Sequence, residues 1–177
     1  MSGMLTKAVD DLAGINACDR AIFVGLLGPV FEHAARVAER AYEQRPFSSV
    51  DQLHAAMLQI VKDWSKDEQI AFVCGHPELA GKEAIAGALT RESESEQAGA
   101  GLNSLSRAQM EEIAALNAAY RAQHGFPFVI CVRHYTKTGI FAEFKRRSRR
   151  ASDTELEEAI DQIGFITRLR LADLIAG

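Results

Sequence analysis

Three separated stretches of this chain carry side chains able to move protons or hold an anion. The first is Gly75-His76-Pro77-Glu78-Leu79-Ala80-Gly81. An imidazole titrates near neutrality, as a general acid or base must. Pro77 disfavours helical backbone at His76, so the chain turns there and the side chain leaves the register of the preceding helix. Glycines on both sides are expected to leave room for a ligand to approach the backbone. The plainer reading is a helix-end histidine satisfying a carbonyl. The second stretch is Ser93-Glu94-Ser95-Glu96-Gln97-Ala98-Gly99-Ala100-Gly101-Leu102. It combines a carboxylate and an amide with small residues that permit close packing. One carboxylate there can hold an imidazole in the right tautomer or share proton transfer with it. Glu92 and Glu94 read as a solvated acidic face. The third is Arg170. It lies one turn from both Ile166 and Leu174, on an apolar stripe, so its guanidinium needs an anionic partner, either a ligand carboxylate or a protein acid.

Other groups read as ordinary. Arg168 is expected at the surface. Lys145-Arg146-Arg147-Ser148-Arg149-Arg150 reads as a solvated helix end. His33, His54, His124 and His134 lack metal-ligand spacing, and Cys74 with His76 is too sparse a pair for a metal site. The Gly-Ala-Gly run follows no strand, so it is weak support for phosphate binding.

The elements that must position these groups are helical. Ala, Leu, Glu, Gln and Arg dominate, and apolar residues recur at helical spacing. Phe31, Ala34, Ala35, Ala38 and Ala41 are expected on one face of a helix ending near Gln44, stopped by Arg45-Pro46-Phe47. Ser48 or Ser49 caps the next, with Leu53, Met57, Ile60 and Val61 inward and an end near Trp64. A short helix from Asp67 to Cys74 precedes the histidine turn. Ser106 opens a long helix through Met110, Ile113, Leu116, Ala119 and Tyr120, closed by a left-handed Gly125. Phe126-Pro127-Phe128-Val129-Ile130-Cys131-Val132 is extended and apolar. Its proline argues against a central strand, so it is expected as irregular chain crossing the core. The last helix is expected to start at Ser152 with a Glu155 capping box. Its buried stripe is Leu156, Ile160, Ile163, Ile166 and Leu174. The predicted fold is all-α, one compact multi-helix domain over residues 1–177.

Composition agrees. The chain has 177 residues, 47% of them apolar, enough for a single core. A net charge of −4 disfavours a general phosphate-backbone binder. The cysteines Cys18, Cys74 and Cys131 form no CxxC pair, which suits a reduced, intracellular protein. Met1 to Asp11 lacks an apolar signal region, no apolar run has membrane-spanning length, and Leu174-Ile175-Ala176-Gly177 is not a peroxisomal address.

Taken in order, GHPELAG, SESEQAGAGL, the Asn117 to Val132 segment with AYRAQHGFPFVICV, and RLRLADLI resemble 2-oxo-4-hydroxy-4-carboxy-5-ureidoimidazoline (OHCU) decarboxylases. Phe31-Glu32-His33, Val37 to Ala41 and Arg45-Pro46-Phe47 are similar to that family as well. The resemblance runs from about Phe23 to Leu174. It implies an all-helical, cofactor-independent carboxy-lyase, a cytoplasmic homodimer, acting on OHCU to give (S)-allantoin in urate breakdown. It also implies that His76 is the catalytic histidine, oriented by Pro77, with Glu96 as its acidic partner. Ser93, Gln97 and Arg170 would contact the substrate, and Phe126, Phe128 and Ile130 would line its site. The chain departs from the family where Ala34-Ala35-Arg36 replaces a common Ser-Pro-Trp. That removes an aromatic packing element but leaves the acid–base set untouched. Two rival readings stand beside this one: a non-catalytic ligand-binding or interaction module on the same scaffold, and a nucleic-acid binder using Lys145 to Arg150. The negative net charge weighs against the latter.

Overall fold

The computed structural model describes residues 9–175. Met1 to Ala8 and the last two residues, on which part of the terminal-signal readings fall, lie outside that range. The helices follow from their caps. Asp11 accepts from Gly14 N–H to start α1 (Leu12–Ala17), and Asp19 accepts from Ile22 N–H to start α2 (Arg20–Leu27). A 3-10 turn, Gly28–Phe31, then leads to α3 (Ala35–Tyr42). Ser49 caps α4 (Val50–Lys62). Ser65 and Glu68 form a reciprocal capping box on α5 (Lys66–Cys74). The single turn α6 (Lys82–Ile85) precedes α7 (Arg91–Gly99), which Thr90 caps. Ser106 and Gln109 box the start of α8 (Arg107–His124), and Gly125 ends it at φ 79°. Thr136 caps α9 (Lys137–Arg147), and α10 (Ser152–Leu174) closes the chain. No described residue is in a strand.

The α10 helix is the axis of the bundle. It packs on α4, α5, α8 and the 28–31 turn. Gly164 makes the α4 contact close: a Cβ there would stand 3.0 Å from Leu58. The core gathers Phe23, Phe31, Leu53, Phe72, Ile113, Tyr120, Phe144 and Ile163. Burial of this much apolar side chain is the main force holding the bundle together.

Several expectations need correction. The helix read from Phe31 begins only at Ala35, because Glu32 takes φ 56°, outside helical space, and breaks the run. On α8, Ala119 is exposed and Met110 half-buried, while Asn117 turns inward. On α10 the stripe continues through Leu171, and Leu174 is only half-buried. The Ser152–Glu155 capping box does not form. Ala151 is the N-cap without a side-chain bond, Ser152 Oγ instead pairs with His124 Nδ1 at 2.8 Å, and Glu155 is fully buried. Its partner explains why. Arg147, expected as part of a solvated basic run, has no exposed surface and its Nε donates to Glu155 Oε1 at 3.0 Å. A buried guanidinium recruits a carboxylate more strongly than a helix N-terminus does.

Candidate active site

The turn after α5 holds His76 by its main chain: its N–H donates to Val73 O at 3.0 Å. The imidazole is 6% exposed and meets the Phe72 ring edge-on at 5.1 Å. Nδ1 lies 3.3 Å from Phe72 O. A carbonyl can only accept, so that nitrogen carries the proton and Nε2 presents a lone pair. Nε2 is buried and has no hydrogen-bond partner among the described residues. Burial lowers the imidazole's pKa to about 4. The Glu32 charge and the Phe72 carbonyl oppose that fall, while Arg170 and His33 add to it. His76 is therefore neutral at pH 7 and offers a free acceptor inside the protein.

The rest of the turn is pinned. Gln97 Oε1 accepts from Ala80 N–H at 2.8 Å, Asn117 Nδ2 donates to Leu79 O at 2.9 Å, and Arg121 Nε donates to Glu78 Oε1 at 2.8 Å. The glycines serve the turn rather than ligand approach. Gly75 caps α5, and a Cβ on Gly81 would fall 2.7 Å from Glu78 Cβ.

Facing His76 is an ionic cluster drawn from three elements. Arg170 of α10 donates from Nε and Nη2 to the two oxygens of Glu96 on α7, at 2.8 and 2.9 Å. Nη2 also reaches Glu32 Oε1 at 3.0 Å, and Nη1 reaches Val30 O at 3.1 Å. Glu32 accepts further hydrogen bonds from Ser93 Oγ and, at 2.8 Å, from Thr90 Oγ1. Burial opposes its ionised form, but Arg170, Ser93 and Thr90 hold its pKa below the usual carboxylate range. Burial likewise disfavours the charged Arg170, and Glu96 and Glu32 more than offset it.

His76, Pro77, Ser93, Glu96, Gln97, Phe128, Ile130 and Arg170 all border one cavity of about 40 Å³. That volume is close to a single water's share of liquid, far below the roughly 300–1,000 Å³ of pockets for drug-sized ligands. Glu96 and Arg170 also line an open groove of about 1050 Å³, so they form the wall between it and the cavity. His76 and Glu96 share no hydrogen bond among the described residues; they meet across the cavity. Phe126 does not border it. Its ring packs on Tyr120 and His124 behind the site. Gln97 borders the cavity, but its carboxamide is spent on the main chain of the turn.

Reading the sequence by residue type left out Glu32, which borders the cavity and binds Arg170. The signal was there: a buried Arg170 demanded acids, and Glu-His sits where the helical run fails.

The Phe126 to Cys131 segment supplies the opposite wall as irregular, buried chain. The amides of Phe128, Val129 and Ile130 form no hydrogen bond among the described residues. Buried main-chain groups rarely stay unpaired, so this wall suits a ligand rich in carbonyl oxygens. The wall thus faces a neutral imidazole with a free acceptor and a guanidinium paired with Glu32 and Glu96, an arrangement able to exchange protons and to receive an anion that competes with one of those carboxylates.

A sequence profile described as OHCU decarboxylase matches residues 16–172. A 2-oxo-4-hydroxy-4-carboxy-5-ureidoimidazoline decarboxylase of Haloferax volcanii is 41% identical over 162 residues, 92% of this chain and 94% of that one. A putative enzyme of the same name from Homo sapiens is 38% identical over 165 residues, covering 93% and 95%. Among solved structures, an (S)-allantoin synthase superposes with a TM-score of 0.76 at 30% identity. The match covers 93% of this chain, which spans about half of that longer one, 53%. A profile covering nearly the whole bundle, and relatives matched almost end to end, make this chain a member of the OHCU decarboxylase family.

Proposed function

We propose that the protein decarboxylates OHCU to (S)-allantoin in urate breakdown, with His76 as the acid–base group. The observation that carries the reading is the buried, unpartnered Nε2 of His76 bordering the same cavity as Glu96 and Arg170. The substrate has a carbon bearing both a carboxylate and a hydroxyl, next to a ring carbon double-bonded to nitrogen. When the bond to the carboxylate breaks, its electrons flow into that imine, so the substrate supplies its own electron sink. Carbon dioxide leaves, the hydroxyl becomes a carbonyl, and the neighbouring carbon gains a proton. The protein's share is orientation and proton placement.

In this reading the neutral Nε2 takes the hydroxyl proton and returns a proton to one face of the adjacent carbon. Glu96 hydrogen-bonds the substrate and, with Arg170, yields its present contacts to the entering ligand. Arg170 holds a carboxylate or ring oxygen, Ser93 contributes its hydroxyl, and the free amides of residues 128–130 bind urea-like oxygens. Pro77 keeps the imidazole aimed. The family resemblance further supports a homodimer, which sedimentation equilibrium of the purified chain tests, and a cytoplasmic location, which cell fractionation tests.

The test of the reaction is stereochemical. The unstable substrate is generated from urate with a uricase and a hydroxyisourate hydrolase, and the allantoin formed is followed by circular dichroism. Spontaneous decay gives a racemate. Added protein should give an excess of one enantiomer, and a racemate at the uncatalysed rate would refute the activity.

A further inference from the structure

The second buried arginine is absent from the cavity wall yet touches its backbone. Phe128, Val129 and Ile130 border the cavity; Arg147 does not. Arg147 Nη1 donates to Val129 O at 2.8 Å, and its Cζ lies 4.4 Å from the centre of the Phe128 ring. On the ring's other contacts, Phe144 stacks at 3.9 Å and Tyr120 meets it edge-on. Arg147 is held in turn by Glu155, which also accepts from Tyr120 Oη at 2.7 Å, and both members of the ion pair are fully buried.

We infer that Arg147 is a positioning residue for the decarboxylation: by gripping the Val129 carbonyl it aims the Ile130 amide and sets the cavity wall. The inference rests on the proposed function. A peptide unit is planar and trans, so the Val129 carbonyl and the Ile130 N–H point in opposite directions from one rigid plane. Anchoring the carbonyl on Arg147 therefore turns the Ile130 N–H away from Arg147 and leaves it free, as it is among the described residues. The segment has no ladder of its own to set this orientation. Its other side-chain clamp is Gln162, whose Oε1 accepts from Cys131 N–H at 2.9 Å. Stability alone does not account for Arg147, since a buried ion pair is often replaceable by apolar side chains of similar volume without loss. An apolar side chain cannot hold a carbonyl.

The experiment compares wild type, Arg147→Lys and the triple variant Tyr120→Phe, Arg147→Met, Glu155→Leu, which removes the buried polar cluster; Arg150, which also reaches Glu155 at 3.4 Å, keeps its pairing with Glu158. Phe23→Leu, in the α2 core away from the site, serves as a destabilised control. Measured are the melting temperature, kcat, KM and the enantiomeric excess of allantoin. Both Arg147 variants should raise KM more than they lower kcat. The triple variant should lose roughly 10²-fold in kcat/KM, the scale of an ångström-sized misplacement, together with optical excess. Arg147→Lys, which can still donate to the carbonyl, should recover part of both. Phe23→Leu should melt earlier with wild-type KM and optical excess. A folded triple variant with wild-type kcat/KM would overturn the role. Should that variant not fold, the double variant Arg147→Met, Glu155→Leu, which cannot donate to the carbonyl, decides, and kcat/KM within about twofold of wild type would overturn the role. A wild-type protein yielding only racemate would refute the reaction itself, a separate outcome.

Discussion

The protein buries two arginines, and they sit in opposite circumstances. Arg147 is sealed: it and Glu155 have no exposed surface, and an aromatic cluster of Phe128, Phe144 and Tyr120 surrounds them. Arg170 borders a cavity and an open groove, faces two carboxylates, and has a titratable imidazole across from it. The chemistry of each pair is the same, so residue type does not separate them. Access does. Glu96 keeps 14% of its side-chain surface exposed, enough for a ligand to compete for Arg170, whereas nothing can reach Glu155. In the proposed function one arginine binds the substrate and the other shapes the wall it meets.

The sharpest way to break this contrast is at the group only one region possesses. His76→Gln should lower turnover by roughly 10²- to 10⁴-fold, the share usual for general acid–base catalysis, with the helical circular dichroism unchanged. Retained turnover would remove the functional half of the comparison. Next come the arginines themselves. Arg170→Met leaves Glu32 and Glu96 without their cation and should cost about 3–5 kcal/mol in urea unfolding, whereas Arg147→Met leaves Glu155 with Arg150 at 3.4 Å and should cost less. A saturating carboxylate ligand should matter only for the Arg170 region: wild type should melt higher with it, and Arg170→Met should not.

A pH series sharpens the comparison further. The folded His76 pKa, about 4, lies below the ordinary value of 6.5. Below 6.5 the unfolded chain binds more protons than the folded one, so stability is complete above that pH and is lost as pH falls toward 4. The loss attributable to this group is at most about 3 kcal/mol. His76→Gln should flatten that part of the curve, read from midpoints of urea unfolding across pH. Glu32→Gln removes the charge that supports imidazolium, so the His76 titration followed by NMR should move still lower. An unchanged titration would mean that the two groups do not face each other. The smallest expected effect lies outside both regions. Ser106→Ala removes one half of the α8 capping box and should cost about 1 kcal/mol with kcat/KM unchanged.

Much of the scaffold was readable before folding. The α4 stripe, a serine cap before it that the structure settles on Ser49, the left-handed Gly125 and the irregular buried crossing after it are local matters of spacing, capping and backbone freedom. The misreadings share one cause. Glu155 looked like a capping-box acid and Arg147 like a surface base, because each was judged against its own neighbours in the chain. Tertiary contact paired them instead. Glu32 was hidden in the same way, inside what looked like a continuous helix.

The sequence by itself determined that this chain is a helical bundle, that His76 sits at a forced turn and that Arg170 faces inward. Those outcomes depend on helical periodicity and on proline sterics, which act within a few residues. Only the tertiary structure decided which acid answers which arginine, which of the two ion pairs meets a cavity, and where the unpaired amides of residues 128–130 lie. Desolvation is the physical reason. The need for a charged partner or a ligand arises only once distant elements have closed over a group and excluded water.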